Sequence, residues 1–328
     1  MKLVSLSLFL NLFSLTLVGT VENSILPMVD NVYGQDFEKR MNTKQKEAIH
    51  RASEHHSGRL RVMTYNMLYN AKDAEEKLPT KHRWEKRKPR LKEYLLYAQA
   101  DLIGSQELQE DQVPEVMEFL APNYDWYGVK TRENEGRSDI NAIFFKKDRF
   151  ELVEAQTIPY PHEKYNNAFT LCYLKDKRSN QKIAVINTKL TFGDPDRRLL
   201  EAIQLNKFSS DLEVPVILTG DFNCFPCIQD KRNPFLDGDY LLQILGSDKL
   251  KNAKNQSIYG HFGPLCSITN SNKTFEPFAG PQLPGFILDH IFVNNHIEVL
   301  THGIDTAQVG GEFPSDHLPV IVDLYLAP

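Results

Sequence analysis

The residues of this chain that could do chemistry are acids, amides and a histidine that follow short apolar runs. They occur in five segments: Thr64-Tyr65-Asn66, Ser105-Gln106-Glu107, Thr219-Gly220-Asp221-Phe222-Asn223, Leu288-Asp289-His290 and Ser315-Asp316-His317. Hydrolysis of a phosphate ester near neutral pH needs a cation on a phosphoryl oxygen, a base that activates water and donors where negative charge builds. Because carboxylates are the ligands that Mg²⁺ prefers, the five segments predict a divalent-metal hydrolase site.

The sharpest of these signals is the segment around Asp221. The apolar run Val214–Leu218 leads through Thr219 and Gly220 to an acid and an amide two residues apart, Asp221 and Asn223. On an extended backbone such residues point the same way, so one could activate water while the other donates to the phosphate. We therefore expect both side chains to face one site.

Two further segments place acids and a histidine beside apolar strands. Asp316 and His317 stand directly before an apolar terminal strand. Since neighbours on an extended backbone face apart, a turn must bring both to the site. Asp289 lies inside the otherwise apolar run Leu288–Val293, where an aspartate is costly unless it is paired. We expect the adjacent His290 on the opposite face of that strand.

Strand and helix signals alternate over the part of the chain that carries these residues. Apolar and alternating runs predict strands over Leu60–Tyr65, Asp101–Gly104, Ala142–Phe145, Phe150–Val153, Phe169–Leu174, Lys182–Asn187, Val214–Leu218, Phe286–Val293 and Leu318–Leu326. Helical spacing predicts helices over Pro89–Gln99, Gln112–Leu120 and Arg197–Leu212. Paired strands with intervening helices predict an α/β sandwich, in which two mixed sheets pack face to face with helices outside. Each polar segment then falls just past a strand, so loops at one edge would converge.

Composition and the N-terminus predict an exported protein with one catalytic domain. Residues 1–20, with Lys2 before the apolar run Leu3–Val18, have the pattern of a signal peptide, whose removal leaves no stable membrane insertion. Residues 21–58 form a polar extension, and the domain occupies 59–328 without an internal linker. The net charge of −5 gives no bulk attraction to polyanions. We expect a secreted or periplasmic monomer.

Together the five segments resemble the endonuclease/exonuclease/phosphatase (deoxyribonuclease I-like) superfamily, from about Arg59 to the C-terminus. The resemblance implies a four-layered α/β sandwich and an enzyme that uses Mg²⁺ or Mn²⁺. Asp221 matches the family's general base, and Asn223 matches the residue that positions the phosphoryl group. His317 matches a donor to the phosphate, and Asp289 matches the carboxylate that holds its imidazole.

The resemblance places the metal on Glu107, with Asn66 and Asp316 nearby, and it breaks at Lys189. The family's usual Asn-Thr-His-Leu reads Asn187-Thr188-Lys189-Leu190 here. Lysine keeps a positively charged donor, so we assign Lys189 to substrate binding. It cannot donate a proton near pH 7 unless its pKa falls sharply.

A basic stretch, Lys77–Arg90, has two interpretations. It is either a flank for an anionic substrate, with Trp84 as a stacking platform and Arg87 as a binding residue, or a solvated helix start whose tryptophan anchors the core. Trp84 to Arg87 also fit the Trp-x-x-Arg pattern that the family often shows there.

The four cysteines do not form a metal motif. Cys224-Phe225-Pro226-Cys227 lacks partners spaced for zinc, which favours a local disulfide. Secreted pancreatic-type deoxyribonucleases of the superfamily carry a similar loop bridge. Cys172 and Cys266 either pair or stay free.

The predicted function is an exported, divalent-metal-dependent phosphoesterase that hydrolyses phosphodiester (nuclease-like) or phosphomonoester bonds by metal-assisted attack of water. Its predicted partner is a phosphate-ester substrate, with nucleic acid as one candidate. One alternative is a sphingomyelinase- or phosphoinositide-phosphatase-like lipid hydrolase, although the sequence shows no clear membrane-docking hairpin. The other is a catalytically silent secreted binding protein of the same fold, which Lys189 favours.

Overall fold

The computed structural model describes residues 59–131, 139–160, 167–224, 238–269, 280–281 and 285–326. The predicted signal peptide and polar extension lie outside these residues, as does Cys227 of the predicted loop disulfide. Cys172 carries a free, buried thiol, so it does not pair with Cys266.

The described residues form two mixed sheets, one of seven strands and one of six. The strands are β1 (Arg59–Asn66), β2 (Leu102–Gln106), β3 (Tyr124–Tyr127), β4 (Ile143–Lys146), β5 (Phe150–Pro159), β6 (Ala168–Asp176), β7 (Lys182–Lys189), β8 (Val216–Asp221), β9 (Lys251–Asn252), β10 (His261–Phe262), β11 (Asp289–Val293), β12 (Ile297–Ile304) and β13 (Val320–Leu326). The seven-stranded sheet has the order β10-β12-β13-β1-β2-β4-β3, and the six-stranded sheet has the order β5-β6-β7-β8-β11-β9. Strands β1 and β2 are parallel, and so are β7 and β8.

The described residues also form short and long helices. They are α1 (Lys72–Glu75), a 3₁₀ helix (Thr80–His82), α2 (Trp84–Ala98), α3 (Gln112–Leu120), α4 (Pro195–Ser210), α5 (Gly238–Leu245) and α6 (Ala253–Gln256). Within the described part of the chain, none of the helices is long and apolar enough to cross a membrane.

The alternation of side chains along the strands produces four layers. In β1, Val62 joins the core between the two sheets, whereas its neighbour Met63 packs with residues of α2 and α3. In β7, Val185 joins the same central core, and Ile186 packs with residues of α4 and α5. The predicted four-layered α/β sandwich is confirmed.

Strand β12 is the longest described strand that the sequence pattern does not predict. A bulge between Val299 and Thr301 interrupts its alternation. Its second half contains His302 and Gly303, and glycine is depleted in strands. The apolar signal is therefore split into two fragments, each too short to be recognised.

Helix α2 begins at Trp84 and not at Pro89, where the sequence pattern starts it. Its buried positions include Trp84, Arg87, Leu91 and Leu95, which follow helical spacing through the proline. Pro89 itself is exposed. The second half of the basic stretch, from Trp84 to Arg90, therefore forms the first turns of a helix that packs on the seven-stranded sheet.

The two sheets approach each other closely just beneath one edge of the sandwich. The Gln106 side chain in β2 donates from Nε2 to Asn187 Oδ1 in β7 at 2.7 Å, and Asn187 Nδ2 donates to Ser105 O at 2.7 Å. A Cβ atom on Gly104 would lie 2.0 Å from Thr219 Oγ1 on β8. This polar contact between the sheets brings the ends of β1 and β2 next to those of β7 and β8.

Candidate active site

Polar side chains from both sheets meet at this edge. They are Asn66 at the end of β1, Glu107 directly after β2, Lys189 at the end of β7, Asp221 at the end of β8, Asp289 at the start of β11, and Asp316 and His317 before β13. All are buried except Asp316, which is half-buried. The structure therefore brings together most of the residues predicted for the site.

Asp221 is held on both carboxylate oxygens. Asn66 Nδ2 donates to Oδ2 at 3.0 Å, and the backbone N–H of Asn223 donates to Oδ1 at 3.0 Å. Asn66 is itself fixed, because its Oδ1 accepts from the backbone N–H of Leu68 at 3.1 Å. A carboxylate oriented in this way can accept a proton from a water placed before it, which suits a general base.

We expected Asn223 and Asp221 to point the same way, as they would on an extended backbone. The structure shows that they do not. Strand β8 ends at Asp221, and Asn223 has a left-handed φ of 49°. Its Nδ2 donates to Leu190 O at 2.8 Å, so the side chain holds the loop that follows Lys189. The expectation of a continued strand was wrong because the sequence pattern does not show where β8 ends.

His317 and Asp289 form a buried pair. His317 Nδ1 lies 2.8 Å from Asp289 Oδ2, and Ser267 Oγ donates to the same oxygen at 2.6 Å. Burial lowers the pKa of His317, but Asp289, Asp221 and Asp316 outweigh it and raise the pKa above its ordinary value. A protonated His317 keeps Nδ1–H on Asp289, and its Nε2–H, which lies 3.4 Å from Asn66 Nδ2, is a cationic donor in the site.

A turn brings Asp316 and His317 to the site together, as the sequence requires. Ser315 Oγ donates to Asn66 O at 2.7 Å and accepts from the backbone N–H of His317 at 3.2 Å. Thr269 donates from its backbone N–H to Asp316 O at 2.7 Å. These contacts fix the segment against the end of β1.

Glu107 and Asp316 supply carboxylate oxygens of the kind that bind a hard divalent cation. Glu107 has a left-handed φ of 67°, which marks a sharp turn directly after β2. Burial raises the pKa of Glu107, but Lys189 and His317 outweigh it and lower the pKa to about 2. Burial and the nearby Glu107 charge both raise the pKa of Asp316. Two neighbouring carboxylates are the kind of ligands that a hard divalent cation prefers.

A second group of possible ligand atoms lies deeper in the site. Single ligand atoms of Asp221, Asp289 and His317 lie within 4.8 Å of one another, and Asp289 Oδ1 is buried without a hydrogen-bond partner. A cation there would need a neutral His317 and would compete with the hydrogen bond from Nδ1 to Asp289. The pair of Glu107 and Asp316 therefore fits a metal better.

Lys189, predicted to bind substrate, forms an ion pair with a carboxylate of the site. It stands opposite Asp221 in the register of β7 and β8, and its Nζ forms an ion pair with Glu107 Oε1 on the other sheet. The side chain is 8% exposed, and that of Glu107 is 10% exposed. The lysine that replaces the family's histidine thus contacts the expected metal ligand.

The interpretation of Trp84 and Arg87 as substrate-binding residues was wrong, because both are buried. Trp84 Nε1 donates to Glu115 Oε2 at 3.0 Å. Arg87 is completely buried, and its guanidinium donates to the carbonyls of His82, Met67, Leu68 and Pro314. Arg87 therefore joins the loop after β1 to the segment before β13 and supports the site from behind.

Comparison with known proteins decides the family. The model of the Endonuclease/Exonuclease/phosphatase family matches residues 63–317, which is well over half of the chain. The chain belongs to this family. Members of this family are hydrolases that act on phosphate esters, and family enzymes depend on divalent metals.

The relatives within this family are distant. The chain is 24% identical over 313 residues to the CCR4-Not complex 3'-5'-exoribonuclease subunit Ccr4 of Candida albicans. The matched region covers 74% of this chain and 38% of that protein. The chain spans about two fifths of the length of such curated relatives.

Two solved structures show the same fold. An endonuclease/exonuclease/phosphatase family protein from Bacteroides thetaiotaomicron has a TM-score of 0.68 and 22% identity, with 82% of this chain and 98% of that chain covered. A mannosyl-6-phosphatase from the same organism has a TM-score of 0.65 and 21% identity, with 81% and 100% covered.

Three residues that support the site of this family member receive no role in the sequence analysis. Ser267 fixes Asp289, and it lies in a loop without a motif. Gln106 and Asn187 join the sheets, and a search for amides near strand ends would have found both. His290 lies where we expected it, away from the site, with Nδ1 at 3.2 Å from Asn252 Nδ2.

Proposed function

We propose that this chain is an exported, divalent-metal-dependent phosphoesterase that hydrolyses phosphodiesters or phosphomonoesters by direct attack of water. One observation carries the proposal. Asp221 is held by Asn66 and by the Asn223 N–H next to the pair of His317 and Asp289. A fixed base beside a cationic donor is the arrangement that in-line hydrolysis of a phosphate ester requires.

Each residue of this arrangement has a separate task. Asp221 accepts the proton of the attacking water, and Asn66 keeps the carboxylate in position for it. His317 donates from Nε2 to a phosphoryl or leaving-group oxygen, while Asp289 fixes the ring through Nδ1. The site excludes bulk water, because Asp221 is 1% and His317 is 9% exposed.

Glu107, Asp316 and Asn66 would hold the metal, with Mg²⁺ or Mn²⁺ as the expected ions. Bound there, the ion would neutralise charge on a phosphoryl oxygen. Burial raises the pKa of Asp316, and the charge of the nearby Glu107 raises it further, so a cation at that position would offset both effects.

The charge distribution supports a short substrate over a long polyanion. The net charge is −5, and several cations of the basic stretch have internal partners. Lys81 pairs with Glu312 at 3.0 Å and Lys88 with Glu115. A single phosphate ester or a short single strand needs only the site itself, whereas a long duplex needs a track of free cations.

The experiment is hydrolysis of bis-p-nitrophenyl phosphate, p-nitrophenyl phosphate and a short RNA by the chain, with Mg²⁺, Mn²⁺ or EDTA. Turnover should require the metal and fall by about 10³-fold or more in Asp221→Asn. Asp211→Asn is the matched control, because Asp211 is exposed. Full turnover by Asp221→Asn would refute the proposed mechanism. The ratio of diester to monoester rates assigns the substrate class.

A second candidate, a catalytically silent binding protein, is favoured by one observation. Lys189 occupies an oxygen of Glu107, the main expected metal ligand. A silent protein would hydrolyse none of the three substrates with either metal. It would also fail to hydrolyse phosphoinositide or sphingomyelin in vesicles. Binding of phosphate in isothermal titration without turnover would then support this candidate.

Export rests on the sequence of residues 1–20, in which Lys2 precedes an apolar run. We expect a mature protein that begins after about residue 20 and is recovered outside the cytoplasm. Mass spectrometry of the N-terminus from the native host tests this. An intact Met1 on cytoplasmic protein would overturn it.

A further inference from the structure

The ion pair between Lys189 and Glu107 connects the two halves of the site. Lys189 ends β7 of the six-stranded sheet, and Glu107 follows β2 of the seven-stranded sheet. Both side chains are at least nine-tenths buried. Screening by salt and water is weak in such a place, so the ammonium and the carboxylate interact strongly.

The ammonium binds the carboxylate that would receive the metal. Lys189 Nζ contacts Oε1 of Glu107, and the backbone N–H of Tyr69 lies 3.4 Å from Oε2. A divalent cation on Oε1 would therefore meet a positive charge already bound to the same atom. The ion must either displace the ammonium or use the remaining oxygens of Glu107 and Asp316.

Lys189 is also placed to serve a second partner. In the parallel register of β7 and β8 it stands beside Asp221, and its own carbonyl accepts from Asn167 Nδ2 at 3.0 Å, which fixes the backbone. Side-chain motion about a fixed backbone can therefore carry Nζ from Glu107 to an oxygen of a phosphate near Asp221. Both partners are oxyanions, and a lysine binds either as a point charge.

We propose that Lys189 competes with the divalent metal for Glu107, so that it sets the affinity of the site for metal and couples metal binding to phosphate binding. Metal displaces the ammonium from Glu107, and a bound phosphate gives the ammonium a new partner. By linkage, phosphate then strengthens metal binding and metal strengthens phosphate binding. The inference rests on the proposed function, because it needs a metal on Glu107.

The test measures Mn²⁺ affinity by electron paramagnetic resonance of free Mn²⁺, without turnover. Lys189→Met should bind Mn²⁺ about tenfold more tightly than wild type, because the competing charge is gone. Inorganic phosphate should tighten Mn²⁺ binding in wild type and do so less in Lys189→Met. Lys182→Met is the matched control: it removes an equal charge from the same strand, where Lys182 is exposed and lies over Tyr173.

Two further variants separate the possible failures. Glu107→Gln should lose the Mn²⁺ site, and if wild type binds no Mn²⁺ at all, the proposed function fails together with the inference. If wild type binds Mn²⁺ at a Glu107-dependent site but Lys189→Met binds it equally or more weakly, only the inference is overturned. Lys189→Gln, which keeps a neutral donor for Glu107, replaces Lys189→Met if that variant does not fold.

Discussion

Asn66 and Asp221 meet across the two sheets, with Asn66 Nδ2 donating to Asp221 Oδ2 at 3.0 Å. Asn66 ends β1 of one sheet, and Asp221 ends β8 of the other. The orientation of the proposed base is therefore set by how the sheets pack, and not by its own strand. This dependence makes the packing beneath the site part of its chemistry.

Asn66→Ala should lower kcat by about 10²-fold, because Asp221 loses the donor that orients it. The measurement is hydrolysis of bis-p-nitrophenyl phosphate at saturating Mn²⁺, with Mn²⁺ affinity followed on the same sample. An unchanged kcat would contradict the role. Asn206→Ala is the control, since Asn206 lies on helix α4 and its amide donates to the hydroxyl of Ser247 at 3.4 Å.

Asp289→Asn should lower the pKa of His317 toward its ordinary value. The wild-type pKa is raised because Asp289 and two further carboxylates favour the imidazolium. The imidazolium of wild type should persist above pH 8, and that of the variant should not. The ring proton chemical shift of His317, followed by NMR against pH, measures this. Equal titration curves for the two proteins would exclude the proposed pairing.

The raised pKa of His317 also determines how this residue contributes to the free energy of unfolding at different pH values. A group whose pKa is higher in the folded than in the unfolded state stabilises below the unfolded pKa, and this contribution is lost as pH rises through the folded pKa. For His317 the contribution is therefore full below about pH 6.5 and declines in alkaline solution.

Stability should fall as pH drops from about 6.5 toward 5, because His302 is buried without charge. Burial and the neighbouring His261 lower its pKa to about 3. His261 donates from Nε2 to Pro264 O at 2.9 Å, so its Nδ1 accepts from His302 Nδ1 at 2.8 Å. A proton added to His261 Nδ1 would break this bond, and a proton added to His302 would place a buried positive charge beside it.

His302 is protonated in the unfolded chain at a pH where it stays neutral in the folded chain. The free energy of unfolding therefore decreases as the pH falls from the unfolded pKa toward the folded pKa of His302. The expected loss from this group is roughly 2 kcal/mol between pH 6.5 and 5. Urea unfolding at several pH values measures it. His302→Gln should reduce the slope, whereas His296→Gln, at an exposed position in the turn before β12, should not. Parallel slopes for all three proteins would refute the assignment.

Arg87→Met should destabilise the protein by about 3–5 kcal/mol, because a completely buried donor to four carbonyls is lost. The free energy of unfolding in urea gives the value. Lys86→Met, at an exposed neighbouring position on α2, should change it by less than about 0.5 kcal/mol. Similar values for the two variants would show that Arg87 does not hold the loops together.

Gly104→Ala should destabilise by about 2 kcal/mol or more, because the new methyl group would lie 2.0 Å from Thr219 Oγ1 and 2.7 Å from Asn187 Oδ1. Gly303→Ala is the matched control in the same sheet, since its nearest new contact is an ordinary 3.4 Å to Phe262 O. Thermal unfolding compares the two. If both variants unfold at one temperature, the sheets are not as tightly spaced at Gly104 as described.

The sequence predicts which polar residues meet at this edge, because each of them stands at a strand end, where the pattern changes from apolar to polar. Asp289 and His317 show why pairing could also be inferred: a carboxylate in an apolar strand needs a partner. The sequence says less about the direction in which each side chain points. The left-handed turn at Asn223 and the burial of the Arg87 side chain depend on packing partners that are distant in the chain.

The role of Lys189 could not be derived from the sequence for a similar reason. Its contact with Glu107 depends on the spacing between the sheets, which Gly104 and the bond between Gln106 and Asn187 determine. No local pattern encodes that distance. Bulged strands such as β12 are missed because their periodicity is broken where the register shifts.

The pairing of β13 with β1 has a consequence for biosynthesis. The first described strand of the seven-stranded sheet is hydrogen-bonded to the last, and Ser315 Oγ binds Asn66 O beside them. A ribosome that has released Asn66, Glu107, Asp221 and Asp289 has therefore made most of the site but not a working one. Until residues 315–326 emerge, β1 remains an open edge that must be shielded from other chains.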